Sequence, residues 1–270
     1  MRCLRELLRQ TGELESGGTG CRFAFYICDD NSQDGTVDSI RALQGDIRLF
    51  VSSGNLYWSR GMHKAMEMAR EDDPDVYLMI NDDVLFYNDA LKMLLQNYGY
   101  YSKQYDAFGL VANIIEETDR ELLYGGRGTD GKLIPSGEKN VECMLANWNC
   151  FLLTREVIQK VGLIDPVYEH AFGDFDYSFM MGRASIPIFL ADRPAGECEE
   201  NKEQGTYTDI TLSKRKRLKL FFSPKGMPPR SYFHFYFKNH RELGIYTIVV
   251  GYISILWYIL IDRDIRNSNR

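Results

Sequence analysis

Along the first third of this chain, short apolar runs that stop at acid-rich loops alternate with segments of helical periodicity. Residues 2–10 set Leu4, Leu7 and Leu8 on one helical face, and Gly17-Gly18-Thr19-Gly20 breaks the pattern. Residues 22–28 read as a buried strand ending at Asp29-Asp30-Asn31-Ser32. A helix over 36–43, a strand over 47–51, a helix over 61–70 and a strand over 76–80 follow, the last again ending in acids, Asn81-Asp82-Asp83. This alternation predicts an α/β fold, a mostly parallel sheet with helices on both faces. In such sheets ligands sit beyond the carboxyl ends of the strands, where both acid clusters fall.

From 106 onwards the pattern loosens. Strands are expected over 108–115, 143–154 and 186–190, a glycine-rich excursion over 125–139, and helices over 155–161 and 174–182. The final third changes character. A basic segment, Lys214-Arg215-Lys216-Arg217, leads through Pro224–Pro229 and an aromatic stretch to an uncharged run over 244–261. No internal repeat is visible.

With 270 residues and 44% hydrophobic content, the chain can bury one large core. Its net charge of -6 is uneven: the body is acidic and the tail basic, with Arg263, Arg266 and Arg270 at its end. Nucleic acid is not expected as a partner, because no continuous basic footprint exists. Basic residues beside an apolar run point instead to an anionic lipid surface. The six cysteines show neither C-x-x-C nor zinc spacing. Cys28 and Cys150 read as small core residues, and with no secretory signal at the start a reducing cytosolic setting is expected.

Three segments carry candidate chemistry. Asp82 and Asp83 are adjacent like charges at a strand end, and a hard divalent ion shared with a diphosphate would relieve them; spare acids before a helix are the alternative. Asp29 to Thr36 (Asp-Asp-Asn-Ser-Gln-Asp-Gly-Thr) suits either a ligand loop or a helix-starting turn. In His170-Ala-Phe-Gly-Asp174-Phe-Asp176-Tyr177 the two acids point to different sides of a helix start, so one can serve as a general base while the other caps or holds a neighbour.

Together these segments resemble the family 2 glycosyltransferases of GT-A fold, the rhamnosyltransferase-like bacterial polysaccharide enzymes among them. The resemblance also rests on Gly54-Asn55, Arg60-Gly61, Tyr124-Gly125-Gly126, Asn147-Trp148-Asn149 and Gly162-x-x-Asp165, and it runs to about Cys198. It implies an inverting transfer from a UDP- or dTDP-sugar to a hydroxyl of a glycan or lipid-linked acceptor, assisted by Mg²⁺ or Mn²⁺. By the same resemblance Asp30 would contact the nucleotide base, and Asn55, Arg60 and Asp82 the rest of the donor. Asp83 would bind the metal and Asp174 would deprotonate the acceptor, with Trp148, Asn149, His170 and Asp176 on the acceptor side. Residues 1–200 would form the transferase domain, with a nucleotide-sugar half over 1–105 and an acceptor half over 106–200. Residues 201–270 would be a membrane-associating extension at the cytoplasmic face of the inner membrane.

The chain departs from the family pattern twice. Met180 stands where many members carry an arginine four residues after the second acid. The family also opens with an apolar strand before the first helix, placed between the strands at 23–28 and 76–80; here the chain begins in the helix. Unpaired backbone groups are therefore expected between those strands, with Met1 an internal methionine of a longer natural protein. The alternative is a truncated, inactive relative that binds nucleotide or membrane as an accessory protein. Finally, 244–261 is near the lower length for crossing a bilayer, so it is expected either as a short anchor or as a helix lying in the interface.

Overall fold

The computed structural model describes residues 1–200 and 204–261, so Arg263, Arg266 and Arg270 lie outside the described residues. The chain runs α1 (Arg2–Ser16), β1 (Phe25–Asp29), α2 (Thr36–Arg41), β2 (Ile47–Val51), α3 (Tyr57–Glu71), β3 (Val76–Ile80), β4 (Leu85–Phe86) and α4 (Ala90–Tyr101). Then come β5 (Gly109–Val111), β6 (Ile114–Glu116), β7 (Leu122–Tyr124), β8 (Gly126–Arg127), β9 (Glu142–Cys143), β10 (Leu145–Ala146) and β11 (Cys150–Thr154). After them lie α5 (Arg155–Val161), α6 (Gly173–Arg183), β12 (Ile188–Leu190) and β13 (Gly196–Cys198), and finally α7 (Lys214–Phe221), α8 (Pro229–Asn239) and α9 (Gly244–Leu260).

A five-stranded sheet, in the order β3-β11-β5-β12-β9, forms the centre. Strand alternation divides its side chains between two apolar layers. Leu110, Leu152 and Phe189 face a cluster with Leu7 of α1 and Leu91 and Leu94 of α4. Val111, Phe151, Leu153, Ile188 and Leu190 face a second cluster with Met66 of α3, Val157 of α5 and Met181 of α6. The fold is thus α/β with helices on both faces, as expected.

The sheets are mixed, however, and not mostly parallel. Parallel pairing joins β1–β2, β12–β5 and β13–β6, whereas β11 runs antiparallel to both β3 and β5. Every residue of β11 is buried. A continuous apolar run of that kind reports burial on both faces and says nothing about strand direction. The strand expected over 108–115 is broken at Ala112-Asn113, where buried Asn113 donates to the Ile134 carbonyl (2.9 Å) and the chain passes from one sheet to another. Helix α1 runs up to the glycine-rich break at Gly17, with Arg9 bonding Glu6 and Glu13 one turn to either side.

Among the described residues β1 pairs only with β2, and β3 only with β11. The strand that the resemblance sets between them has no counterpart there. Both strands nevertheless share the two apolar layers: Phe25 joins Val76 and Leu78 in the first, and Tyr26 joins Tyr77 and Met79 in the second. Helices α7 to α9 form a third cluster around Phe221, Tyr232 and Tyr252.

Candidate active site

Five chain segments meet at one end of the central sheet: the ends of β1 and β3, the start of β11 and the first turns of α3 and α6. At the end of β1, buried Asp29 accepts the Ser32 amide (2.8 Å) and ties its own loop. Asp30 is exposed, yet its carboxylate reaches the start of α3. Oδ1 accepts the Ser52 hydroxyl (2.6 Å) and the Leu56 amide (3.0 Å), and Oδ2 accepts the Tyr57 amide (2.9 Å). Partial desolvation would raise the Asp30 carboxyl, but these bonds outweigh it and hold the group below its ordinary value.

The same loops hold unusual backbone. Asn31 (φ 69°), Asn55 (φ 71°), Tyr57 (φ 58°) and Phe172 (φ 76°) all occupy the left-handed region. Asn is tolerant there; a bulky aromatic such as Tyr57 is strained, and its amide bond to Asp30 opposes relaxation.

Asp82 and Asp83 lie exposed beyond β3. Desolvation, then repulsion from Asp82, push the Asp83 carboxyl above its usual range. A cation would relieve both acids, and their hard oxygens suit Mg²⁺ or Mn²⁺. Among the described residues no three His, Cys, Asp or Glu side chains gather to hold a metal alone. An ion here would need to complete its shell with water and ligand phosphate, the usual Mg²⁺ arrangement.

Asp174 opens α6, where desolvation by burial pushes its carboxyl up to about 6. The Phe175 amide (2.9 Å) and Asn147 Nδ2 (3.3 Å) donate to it and partly oppose that shift. Asn147 Oδ1 in turn accepts Arg127 Nε at 3.4 Å. Desolvation lowers the Arg127 pKa while Asp174 raises it. A carboxylate that titrates near neutrality beside a cation is poised to take a proton.

Two consecutive residues of α3 connect these acids. Trp58 Nε1 donates to Asn81 Oδ1 (2.8 Å), next to Asp82. Ser59 Oγ donates to the His170 carbonyl (2.8 Å), and a Cβ on Gly173, beside Asp174, would stand 2.8 Å from Ser59 Oγ. From the other side, Asn149 accepts the Asn81 amide (3.4 Å) while Asn147, two residues earlier, bonds Asp174. The acids beyond β3 and the acid of α6 therefore flank one hub.

Several expected site residues have other duties. Trp148 is 1% exposed and packs edge-on against Trp58 and Tyr177, so it offers no face for sugar stacking. Asp176, also 1% exposed, is not open to an acceptor; Lys238 Nζ and Asn239 Nδ2 of α8 each bond it at 2.7 Å. Arg60 is committed to the Pro166 carbonyl and Glu169, both at 3.1 Å, and so clamps the 166–169 loop instead of standing free for a diphosphate. Asn149 is buried at the hub. His170 is half-buried, and desolvation followed by Lys225 repulsion lowers its pKa, favouring the neutral imidazole. Asn55 is exposed on the α3 loop.

Sequence reading missed Arg127, Trp58, Ser59 and Lys238. Arg127 follows the Tyr124-Gly125-Gly126 signal directly and was within reach of it. Lys238 was not: it bonds Asp176 from 62 positions away and approaches Met180 Sδ at 3.5 Å, bringing a cation to the place where Met180 lacks one.

The turn before Arg127 is tightly built. Gly125 has φ 151°, and a Cβ there would stand 1.9 Å from Asn113 Oδ1. Gly125→Ala should cost more than about 2 kcal/mol, read from the urea midpoint at unchanged slope. A loss below about 0.5 kcal/mol would mean that this close approach relaxes freely.

The model of the family described as "Glycosyl transferase family 2" matches residues 1–162. No curated protein matches the chain by sequence. Solved structures that resemble it include GalNAc-T7 with UDP, GalNAc and Mn²⁺, at 13% identity and TM-score 0.46, over 83% of this chain and 51% of that one. Another is residues 1–349 of S. aureus TarS, at 14% identity and TM-score 0.43, over 81% of this chain and 64% of that one. A third is the TarS complex with UDP-GlcNAc, at 11% identity and TM-score 0.46, over 81% and 63%. The chain thus spans about half to two thirds of the length of these proteins.

Proposed function

This chain belongs to glycosyl transferase family 2, and on that premise we propose that it moves a sugar, with inversion, from a UDP- or dTDP-sugar to a hydroxyl of a glycan or lipid-linked acceptor. The setting proposed is bacterial surface polysaccharide synthesis, at the cytoplasmic face of the membrane, in the manner of rhamnosyltransferase-like members. The observation that carries this reading is the hub itself: Trp58 and Ser59 join the acids beyond β3 to the acid of α6. Asp174 lies beyond the 162 residues matched by the family, so its role rests on that geometry.

In this reading Asp174 takes the proton of the acceptor hydroxyl as its oxygen attacks the anomeric carbon, and the bond to the diphosphate breaks on the opposite side. Burial raises the basicity of Asp174, and Asn147 fixes the direction of its carboxylate. Asp30 accepts a pyrimidine ring NH with the lone pairs that its loop contacts leave, since a carboxylate offers about four acceptor positions. Asn55 and Asp82 border the ribose and diphosphate, while Asn149 and His170 border the acceptor. Asp83 would hold Mg²⁺ or Mn²⁺, which when bound neutralises charge on the departing diphosphate.

The test is release of nucleoside diphosphate from a panel of UDP- and dTDP-sugars with Mn²⁺. Asp83→Ala should lower the rate by at least about 100-fold and remove its dependence on added Mn²⁺, as expected for lost charge stabilisation. Unchanged metal dependence in that variant would take Asp83 out of the metal role. The second reading, an inactive nucleotide- or membrane-binding relative, is favoured by the edges of β1 and β3 that have no strand partner among the described residues. It predicts donor binding without release of diphosphate for every sugar tried.

A further inference from the structure

Helix α9 has two faces with different fates. Ile248, Tyr252 and Ile259 are buried against α7 and α8. The Tyr252 ring lies 5.3 Å from Phe221 and 4.8 Å from Tyr232, its hydroxyl donates to the Met227 carbonyl (2.9 Å), and the Tyr232 hydroxyl donates to the Ile248 carbonyl (3.4 Å). On the other side Tyr246, Val250, Ile253, Trp257 and Leu260 are 80%, 40%, 56%, 60% and 43% exposed. At about 100° per residue, this stripe points roughly 140° away from the docked one. A soluble surface would not leave so long an apolar row uncovered without a use for it.

The surroundings say what covers it. From 211 to 241 the chain contains no Asp or Glu, while Lys214, Arg215, Lys216, Lys219, Lys225 and Arg230 are exposed in α7, at the start of α8 and in the loop between them. Helix α7 packs directly on α9. Apposing a second copy of this surface would bring like charges together, whereas an anionic leaflet attracts each of them. Tyr246 and Trp257, near the two ends of the stripe, are the side chains that favour the headgroup layer.

The docked face also decides orientation. With the single 3-10 turn before it, the helical stretch covers Arg241–Leu260, 20 residues, long and apolar enough by length and composition to cross a bilayer, so the packing of α9, not its length, separates crossing from lying flat. Crossing the hydrocarbon would either strip α9 from α7 and α8 or drag the charged α7 into it, where each unpaired charge is costly to bury. We infer that α9 lies in the plane of an anionic bilayer surface, its Tyr246–Leu260 stripe sunk among the acyl chains and its Ile248–Ile259 face holding the protein. This deepens the membrane placement proposed above and is independent of the transfer chemistry.

The experiment floats the full chain on phosphatidylcholine vesicles with and without phosphatidylserine. Wild type should float with the anionic vesicles, lose that binding in high salt and be released by alkaline carbonate. Ile253→Asp/Trp257→Asp should bind at least about tenfold more weakly at an unchanged melting temperature, and should keep wild-type release of diphosphate with a soluble acceptor. Retention after carbonate would overturn the in-plane arrangement in favour of a spanning helix. So would a vesicle-free dimer that the double substitution dissolves, in favour of a second copy, and so would equal flotation of both proteins. Normal flotation with no sugar transfer would sink the proposed function and leave this inference standing.

Discussion

Asp174→Asn should lower turnover by about 10²–10⁴-fold while leaving donor affinity within a few-fold of wild type. The residue is placed to remove a proton, not to grip the nucleotide, so the loss should fall on kcat. The same substitution should make the protein more stable at about pH 7.5. Burial raises the folded-state pKa of Asp174 from 3.8 to about 6. Between those values the folded protein binds a proton that the unfolded chain releases, so stability rises as pH falls through about 6 towards 4, and ionisation above 6 costs stability. Asn removes that cost, a gain of roughly 1–3 kcal/mol near neutrality that should vanish by about pH 4. Wild-type kcat should correspondingly fall as pH drops through about 6. Melting curves and nucleoside diphosphate release on one protein preparation check both halves. Full turnover in the variant would place the base elsewhere; lost turnover with reduced stability at neutral pH would mark Asp174 as structural.

The second large effect concerns the seam between the sheet domain and the C-terminal helices. Lys238→Met should cost about 3–5 kcal/mol, because it leaves the carboxylate of Asp176, 1% exposed, without its cation. Lys238 also meets Asp165 Oδ2 at 3.4 Å, where His234 Nε2 lies at 3.1 Å, so one lysine joins two acids of the sheet domain to α8. Lys238→Met/Asp176→Leu should recover much of the loss, since an apolar pair of similar volume needs no desolvated charge. Urea unfolding of both singles and the double closes the cycle. A single-variant loss under about 1 kcal/mol would show that Asp176 finds other compensation.

Much of the first half was legible because its signals are local. The strands at Ile47–Val51 and Val76–Ile80 fall where periodicity set them, as does, later in the chain, the helix at Arg155–Val161. Each is an unbroken run of one period, bounded by turn residues. The second half was harder. The run over 143–154 resolves into β9, β10 and β11, because its middle turns to bring Asn147 to Asp174. Nothing in an apolar pattern records such a turn. The site divides in the same way. Asp82, Asp83 and Asp174 stood out as acids at element ends, but that one hub joins them is written in Trp58 and Ser59, which look like ordinary helix residues.

By itself, the sequence determined the α/β class, the elements with clean periods, the acid-bearing loops and the basic, then apolar, character of the tail. These follow from residue type and near-neighbour spacing, which set local backbone preference and burial. Only the tertiary structure decided which strands run antiparallel, that Asp176 serves Lys238 while Asp174 remains at the hub, that Trp148 is core, and which face of α9 stays uncovered. Those outcomes depend on side chains meeting across tens of residues, where direction and desolvation are set by the whole packed chain and no local pattern encodes them.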